Sequence, residues 1–317
     1  MLCTDCQRRE VIFTRPYSGE RLCQQCFLSS VERRVRKAIS KYDMLRPDDK
    51  IAVAVSGGKD SLSLLHILHR IEREFPQAEV IALTVDEGIP KYRDEAVTLS
   101  AKICEKLGVE QIVVSFQELY GLTLQEMATR VKGRRGELTP CSFCGVLRRK
   151  ALNIAAKRIG ATKVATAHNL DDETHTMLLN VIHGNILRLG RTEPSTTEGT
   201  AAFIPRVKPL CETPEEETTL YAYLRGFEFQ SAQCPHAPQA LRTEIREFVA
   251  KLEANHPGTR FTIYQSFEKL ASFMKGTSKP KLAACKLCSE PSVGDICEAC
   301  RMLSRLKEME KENPAPP

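Results

Sequence analysis

A chain of 317 residues, 42% of them hydrophobic, can bury one sizeable core and carry small satellites. Its net charge of +6 is mild, so it fits a nucleic-acid partner without establishing one. No apolar run approaches the roughly 20 residues of a membrane span and residues 1–30 hold no apolar leader core, so the 13 cysteines are expected in a reducing, cytoplasmic setting, in metal or thiol chemistry rather than disulfides.

The first element in chain order is a pair of knuckles, Cys3-x-x-Cys6 and Cys23-x-x-Cys26. Two CxxC knuckles give four thiolates the tetrahedral approach that structural zinc prefers, and so short a segment has too few apolar residues to fold without a metal. We expect a zinc ribbon over 1–30. A basic amphipathic helix follows over 31–41, with Val31, Val35, Ala38 and Ile39 on one side and Arg33, Arg34, Arg36 and Lys37 on the other. That basic face is expected against an RNA backbone; a merely solvated face is the plain alternative.

Ile51-Ala-Val-Ala-Val55 is a continuous apolar, partly β-branched run that reads as a buried parallel strand. The hexapeptide Ser56, Gly57, Gly58, Lys59, Asp60, Ser61 comes next, and Leu62, Leu64, Leu65, Ile67, Leu68 and Ile71 then recur at helical spacing over 60–74. Strand, glycine turn and helix start make an anion site: glycines bend the backbone and bring its N–H groups to phosphate oxygens, and the helix adds its partial positive charge. The G-x-x-x-x-G-K-[ST] loop of ordinary ATPases is absent.

The pattern continues as strand 80–85, helix 92–107, strand 111–116 and helix 119–131. A basic loop then holds Lys132, Arg134 and Arg135, which with Arg149 are expected to contact RNA phosphates. Cys141-Ser-Phe-Cys144 opens a helix over 143–159, followed by strand 163–167 and helix 170–182. Such alternation implies an α/β fold with a doubly wound parallel sheet, whose ligands sit beyond the carboxyl ends of the strands. The ends of 51–55, 80–85 and 163–167 should therefore surround one crevice. Asp86 and Glu87 stand at the mouth of the second of these strands, and His168, Asp171 and Asp172 follow the last. Carboxylates there suit Mg²⁺ against pyrophosphate, while Asn169 or Asp171 could instead cap the next helix.

Thr213 reads as the cap of a helix with Pro214 at its first position and Glu215–Glu217 in its first turn, ending near Gly226. Helical patterns run over 237–254 and 259–274, and 275–280 reads as a linker. Cys285-x-x-Cys288 and Cys297-x-x-Cys300 form a second zinc ribbon, and 312–317 a frayed tail. The expected division is 1–30, 31–277 and 278–317. Of the remaining cysteines, Cys104 reads as a core residue, Cys211 as either core or loop, and Cys234, before Pro235, as a loop residue. Cys141 and Cys144 could be a redox dithiol or half of a third zinc site.

SGGKDS, VDEGI, PCSFCGVLRRKALN, AHNLDDE, Cys234-Pro235 and the two flanking cysteine ribbons together resemble the TtcA/TtuA family of tRNA 2-thiolation enzymes over nearly the whole chain. SGGKDS is similar to the pyrophosphate loop (PP-loop) of enzymes that split ATP into AMP and pyrophosphate. The nearer likeness is to the branch with ribbons at both ends, which includes the TtuA and archaeal–eukaryotic wobble-uridine enzymes. Arg148-Arg149-Lys150 is more like the wobble-uridine than the T-loop-uridine enzymes, which carry lysine at Arg148. The resemblance implies a PP-loop ATP pyrophosphatase fold in which Ala54, Val55, the SGGKDS loop, Val85, Asp86, Arg148, Ala167 and Asp172 bind ATP. It implies that Cys141, Cys144 and Cys234 hold a [4Fe-4S] cluster, leaving one iron open for sulfide.

The implied reaction adenylates the uridine 2-carbonyl oxygen and then replaces that oxygen by sulfur, from the cluster or a cysteine persulfide. Lys59, Arg148 and Mg²⁺ would stabilise phosphate charge, and Asp172 would orient or deprotonate the base. The implied partners are tRNA, a ubiquitin-like sulfur carrier or another sulfide donor, and a second copy of the chain in a homodimer. Two other classes are weighed: an amidating PP-loop synthetase, which would not need the three cysteines, and a zinc-ribbon RNA-binding protein with a vestigial loop, which an intact SGGKDS argues against.

Overall fold

The structure, a computed structural model, describes residues 1–131, 139–185, 194–195, 203–236, 241–273 and 283–312. Lys132, Arg134, Arg135, the segment 275–280 and the residues beyond 312 lie outside it. Five parallel strands form the central sheet: β3 (Lys50–Ala54), β4 (Glu79–Asp86), β5 (Gln111–Ser115), β6 (Lys163–Ala165) and β7 (Arg206–Val207), in the order β5-β4-β3-β6-β7. The chain winds outward from β3 in both directions, so the switch point lies between β3 and β6, where doubly wound sheets open a ligand crevice. Small antiparallel hairpins stand at either end of the chain, β1 (Phe13–Thr14) with β2 (Arg21–Leu22) and β8 (Ala283–Ala284) with β9 (Pro291–Ser292).

The helices are α1 (Gln24–Lys41), α2 (Lys59–Glu72), α3 (Tyr92–Leu107), α4 (Phe116–Tyr120), α5 (Leu124–Val131), α6 (Pro140–Arg158), α7 (Leu170–Ile182), α8 (Glu215–Leu224), α9 (Leu241–Asn255), α10 (Thr259–Phe273) and α11 (Glu298–Glu312). α1 starts within the second knuckle rather than at residue 31, so one helix joins the first cysteine group to the α/β body. The helix expected over 119–131 is two. Gly121 ends α4 in the left-handed region at φ 71°, and Thr123 with Glu126 starts α5 by reciprocal hydrogen bonds. Thr213 does not cap α8; Pro214 takes that position and the Thr213 hydroxyl is buried without a hydrogen-bond partner. No helix among the described residues is long and apolar enough to cross a membrane.

Alternation along β3 divides the core. Ile51, Val53 and Val55 face a cluster that includes Leu62 and Leu65 of α2, Val31 and Val35 of α1, and Cys3, Cys23 and Cys26. Ala52 faces the other cluster, with Leu83 and Val85 of β4, Phe143, Leu147 and Ala151 of α6, Leu306 of α11, and Cys285, Cys297 and Cys300. Successive residues of a strand point to opposite faces. The two cysteine groups therefore pack on opposite faces of the sheet.

Candidate functional site

The loop after β3 is built around Gly57 and Ser61. Gly57 has φ +83°, and a Cβ there would stand 2.5 Å from the Ala96 carbonyl oxygen of α3. Only glycine combines that conformation with so close a helix. The Ser61 hydroxyl accepts from the Ser56 amide (3.1 Å) and donates to the Gly58 carbonyl (2.9 Å), which folds the loop over the N-terminus of α2. Gly58 is the extended cap residue there and makes no side-chain cap, so the first amides of α2 have no side-chain partner at that position.

Lys59 Nζ lies 2.7 Å from Asp60 and 2.9 Å from Glu215 of α8. Burial disfavours its charge, yet Asp60 and Glu215 outweigh that and hold the ammonium above the ordinary lysine value. Thr218 donates to Asp60, and Arg246 of α9 binds both oxygens of Glu215 at 2.8 and 2.6 Å. Glu215, Thr218 and Arg246 went unread in the sequence. Glu215–Glu217 had an adequate explanation as the acidic first turn of a helix, and nothing local relates them to Lys59.

Ala54, Val55, Val85, Asp86 and Ala167 stand at the carboxyl ends of β3, β4 and β6, around the switch point. The carboxylates read as Mg²⁺ ligands are largely engaged. Glu87, with its side chain 2% exposed, pairs with Arg93 at 2.6 Å and with Arg148. Asp171 joins Arg260 at 2.7 Å and accepts the Glu215 amide at 2.8 Å. Asp86 accepts the Gly88 amide. Asn169 caps α7 by a reciprocal pair with Asp172, whose other oxygen lies 3.4 Å from Arg242. Burial, with Lys208 nearby, pushes His168 down to about 4, leaving a neutral ring that bonds Thr166 at 3.0 Å.

Arg93 is a hub that sequence reading missed. It donates to the Ser56 carbonyl (3.0 Å) and the Val85 carbonyl while paired to Glu87. Glu87 in turn holds Arg148, and Arg148 donates to Cys144 Sγ at 2.9 Å. A second link is covalent. The amide of Gln230 donates to the Gly57 carbonyl at 3.0 Å; four residues on stands Cys234, and the carbonyl of His236 accepts from Cys141 Sγ at 3.1 Å. Four residues span at most about 14 Å, so the phosphate loop and the cysteine trio share one crevice.

Cys141 and Cys144 lie in the first turn of α6, whose cap is Thr139 and whose first residue is Pro140. Burial, with Cys234 beside it, raises Cys141, and burial pushes Cys144 up to about 11 against the pull of Arg148. Three half-buried sulfurs with Arg148 as the nearby cation are a donor set that a cationic iron–sulfur core would relieve. They do not form a group tight enough for one ion, unlike the quartets, and a cluster needs no such tightness because each cysteine takes a different iron.

In each quartet the four sulfurs lie within 4.8 Å of one another. Cys6 and Cys23 are 3.9 Å apart and Cys288 and Cys297 3.7 Å. Disulfides would need about 2.05 Å, whereas a tetrahedron with zinc–sulfur bonds of about 2.3 Å has edges of about 3.8 Å. Both quartets fit one tetrahedral ion. Burial opposes ionisation of Cys3, but the backbone N–H groups of Cys6, Cys23 and Asp5 pull it down to about 6. Cys104 and Cys211 are buried outside these groups.

On the basic face of α1, Arg34 turns inward to buried Glu217 at 2.9 Å and Arg36 pairs with Glu74, leaving Arg33 and Lys37 exposed.

The PP-loop domain family matches residues 27–253. The chain is 35% identical over 323 residues to the tRNA 2-thiolation protein NcsA of Haloferax volcanii, covering 97% of this chain and 99% of that protein. It is 36% identical over 307 residues to the cytoplasmic tRNA 2-thiolation protein 1 of Chlamydomonas reinhardtii, covering 96% and 85%. A solved structure of the U34-tRNA thiolase NcsA from Methanococcus maripaludis with its [4Fe-4S] cluster superposes with a TM-score of 0.82 at 31% identity, covering 96% of each chain. A phosphate loop and a cysteine trio at one sheet edge, in a chain matched end to end by such relatives, identify it: the chain belongs to the PP-loop family, in its tRNA 2-thiolation branch.

Proposed function

We infer that this chain is an ATP-dependent tRNA uridine 2-sulfurtransferase acting on the wobble uridine, working in the cytoplasm. The observation that carries the reading is the shared crevice, in which one short segment bonds the phosphate loop through Gln230 and delivers Cys234 to Cys141 and Cys144. An activation step and a sulfur step on the same base need that proximity.

ATP enters with its phosphates over Gly57, Gly58 and the first amides of α2, with Ala54, Val55, Val85 and Ala167 around the adenosine. Mg²⁺ bound with ATP would supply charge neutralisation at the phosphates, to which the carboxylates at these strand ends, already largely engaged, would add little. Lys59 meets the phosphates by leaving Glu215, which Arg246 keeps paired. The target uridine leaves its stack to enter the crevice. Its O2 attacks the α-phosphorus, the bond to the β-phosphate breaks, and pyrophosphate departs. Lys59 and Arg148 meet the charge that develops, from the loop side and the cysteine side respectively, and Asp172 orients the base. Sulfide then bonds to C2 as HS⁻ and AMP leaves with the former carbonyl oxygen; the proton of HS⁻ replaces the N3 proton lost on adenylation, and no change of oxidation state is needed.

Cys141, Cys144 and Cys234 would hold a [4Fe-4S] cluster, which when bound supplies an iron without a protein ligand, able to take an added sulfur ligand. The quartets Cys3/Cys6/Cys23/Cys26 and Cys285/Cys288/Cys297/Cys300 would each hold one zinc. Sulfur arriving on a ubiquitin-like carrier or as free sulfide would use the same crevice, in a chain that would act as a homodimer.

The test is nucleoside mass spectrometry, by position, on unmodified tRNA treated with ATP, sulfide and anaerobically purified protein. We expect 2-thiouridine at the wobble position, about four iron per chain, and loss of iron and thiolation together in each Cys→Ala variant of the trio. Fully active, oxygen-free protein without iron would replace the cluster reading by a persulfide one. Thiolation undiminished in Lys59→Ala would overturn the ATP assignment.

A further inference from the structure

α6 has two ends of different use. Its first turn carries Cys141 and Cys144. Further along, Lys150, Asn153 and Lys157 follow one another at spacings of three and four, which places them on one face, and all three meet the C-terminal cysteine module. Asn153 and Lys157 hold the two oxygens of Glu290, at 2.7 and 2.8 Å. Lys150 reaches into the thiol quartet itself: its Nζ lies 3.1 Å from Cys288 Sγ, 3.6 Å from Cys300 Sγ and 4.0 Å from Cys297 Sγ.

Four thiolates around one Zn²⁺ leave a net charge of −2 in a partly buried place. An ammonium at hydrogen-bond distance from three of the four sulfurs halves that charge and directs N–H groups at the sulfur lone pairs. Backbone amides donate in both quartets, to Cys3 from Asp5, Cys6 and Cys23 and to Cys285 from Leu287, Cys288 and Cys297; the Lys150 ammonium is what the C-terminal quartet adds. An amide carries no net charge. The two quartets are alike in sequence and unlike in electrostatics.

We propose that Lys150 is a built-in counter-charge for a C-terminal zinc tetrathiolate, a positioning residue that retains the metal there and fastens it to the helix bearing Cys141 and Cys144. The proposal rests on the reading of the quartets as zinc sites and is independent of the thiolation chemistry.

The experiment follows zinc release from the full chain by a coloured chelator, with metal content measured beforehand. The wild-type chain should hold two zinc, and a Cys288→Ser variant, which keeps the N-terminal ion only, assigns the phases. In Lys150→Met the C-terminal ion should leave about tenfold faster, the scale of an outer-shell contact to a metal ligand, while the N-terminal ion keeps its rate. Lys150→Arg should restore slow release. Both ions leaving Lys150→Met at wild-type rates would overturn the proposal. If both accelerate, the arginine variant decides: slow C-terminal release supports the counter-charge, and fast release from both variants refutes it. A wild-type chain with fewer than two zinc would instead remove the zinc reading beneath it.

Discussion

Gly57 and Gly58 are neighbours in a motif that treats them alike, and the fold does not. Gly57 needs φ +83° and has the Ala96 carbonyl oxygen where a Cβ would go, whereas Gly58, an extended residue at φ −86°, would bring its Cβ no closer than 3.6 Å to Ser56 Oγ. A non-glycine residue held in such a left-handed conformation costs about 1–3 kcal/mol, before the backbone clash is counted. Gly57→Ala should therefore lower unfolding stability by more than about 2 kcal/mol, with Gly58→Ala within about 0.5 kcal/mol of the parent. Equal denaturant midpoints for the two variants would refute this account of the loop. Glycine's need for space was unreadable before α3 was placed, because the clashing carbonyl belongs to a residue some forty positions away. The ion pairs of Glu87 were hidden similarly: the motif showed a carboxylate at a strand end, and only the fold supplies the two arginines that occupy it.

At the scale of elements, α8 joins the N-terminal module to the phosphate loop. Glu215 and Thr218 meet Lys59 and Asp60. Between them Glu217, fully buried, binds Arg15 at 2.7 Å and Arg34 at 2.9 Å and accepts from Tyr17. Removing one member of a buried charge network leaves the others unpaired, at a cost of about 3–5 kcal/mol, whereas exposed pairs contribute about 0–1 kcal/mol. Glu217→Ala should lose stability on the larger scale, and Glu74→Ala, which frees the exposed Arg36, on the smaller. Chemical denaturation of both variants checks the ranking; a Glu217→Ala loss no larger than that of Glu74→Ala would mean the network is not load-sharing. The helices were legible from periodicity and caps, since these are local. What each helix braces was not, because Arg15 and Glu217 are separated by 202 positions.

For the whole molecule, alternation of strands and helices was enough to expect a doubly wound sheet with its crevice at the ends of β3, β4 and β6, and the same motifs stand there. The placement of the cysteine modules on opposite faces was not readable, since both are joined to the body by contacts distant in sequence. The same distance reshaped the expected RNA surface: Arg34 on the basic face of α1 is taken inward by Glu217. tRNA affinity should fall as salt rises, because phosphate contacts release counterions. Neutralising exposed Arg33 and Lys37 together should weaken binding and flatten that salt dependence. Filter binding at several salt concentrations measures both, and an unchanged slope would take α1 off the RNA surface.

The stretch from Gln230 to Cys234 acts as a gauge of fixed length. One end is pinned to the Gly57 carbonyl and the other is set beside Cys141 and Cys144. Each residue added or removed would shift the reach by about 3.3–3.6 Å, comparable to the gap across which reacting atoms must meet. Side chains along this stretch, at Ser231, Ala232 and Gln233, are exposed and free to vary, but their number is not. Divergence in this chain's lineage should therefore leave its mark here as substitution, with insertion and deletion confined to other loops.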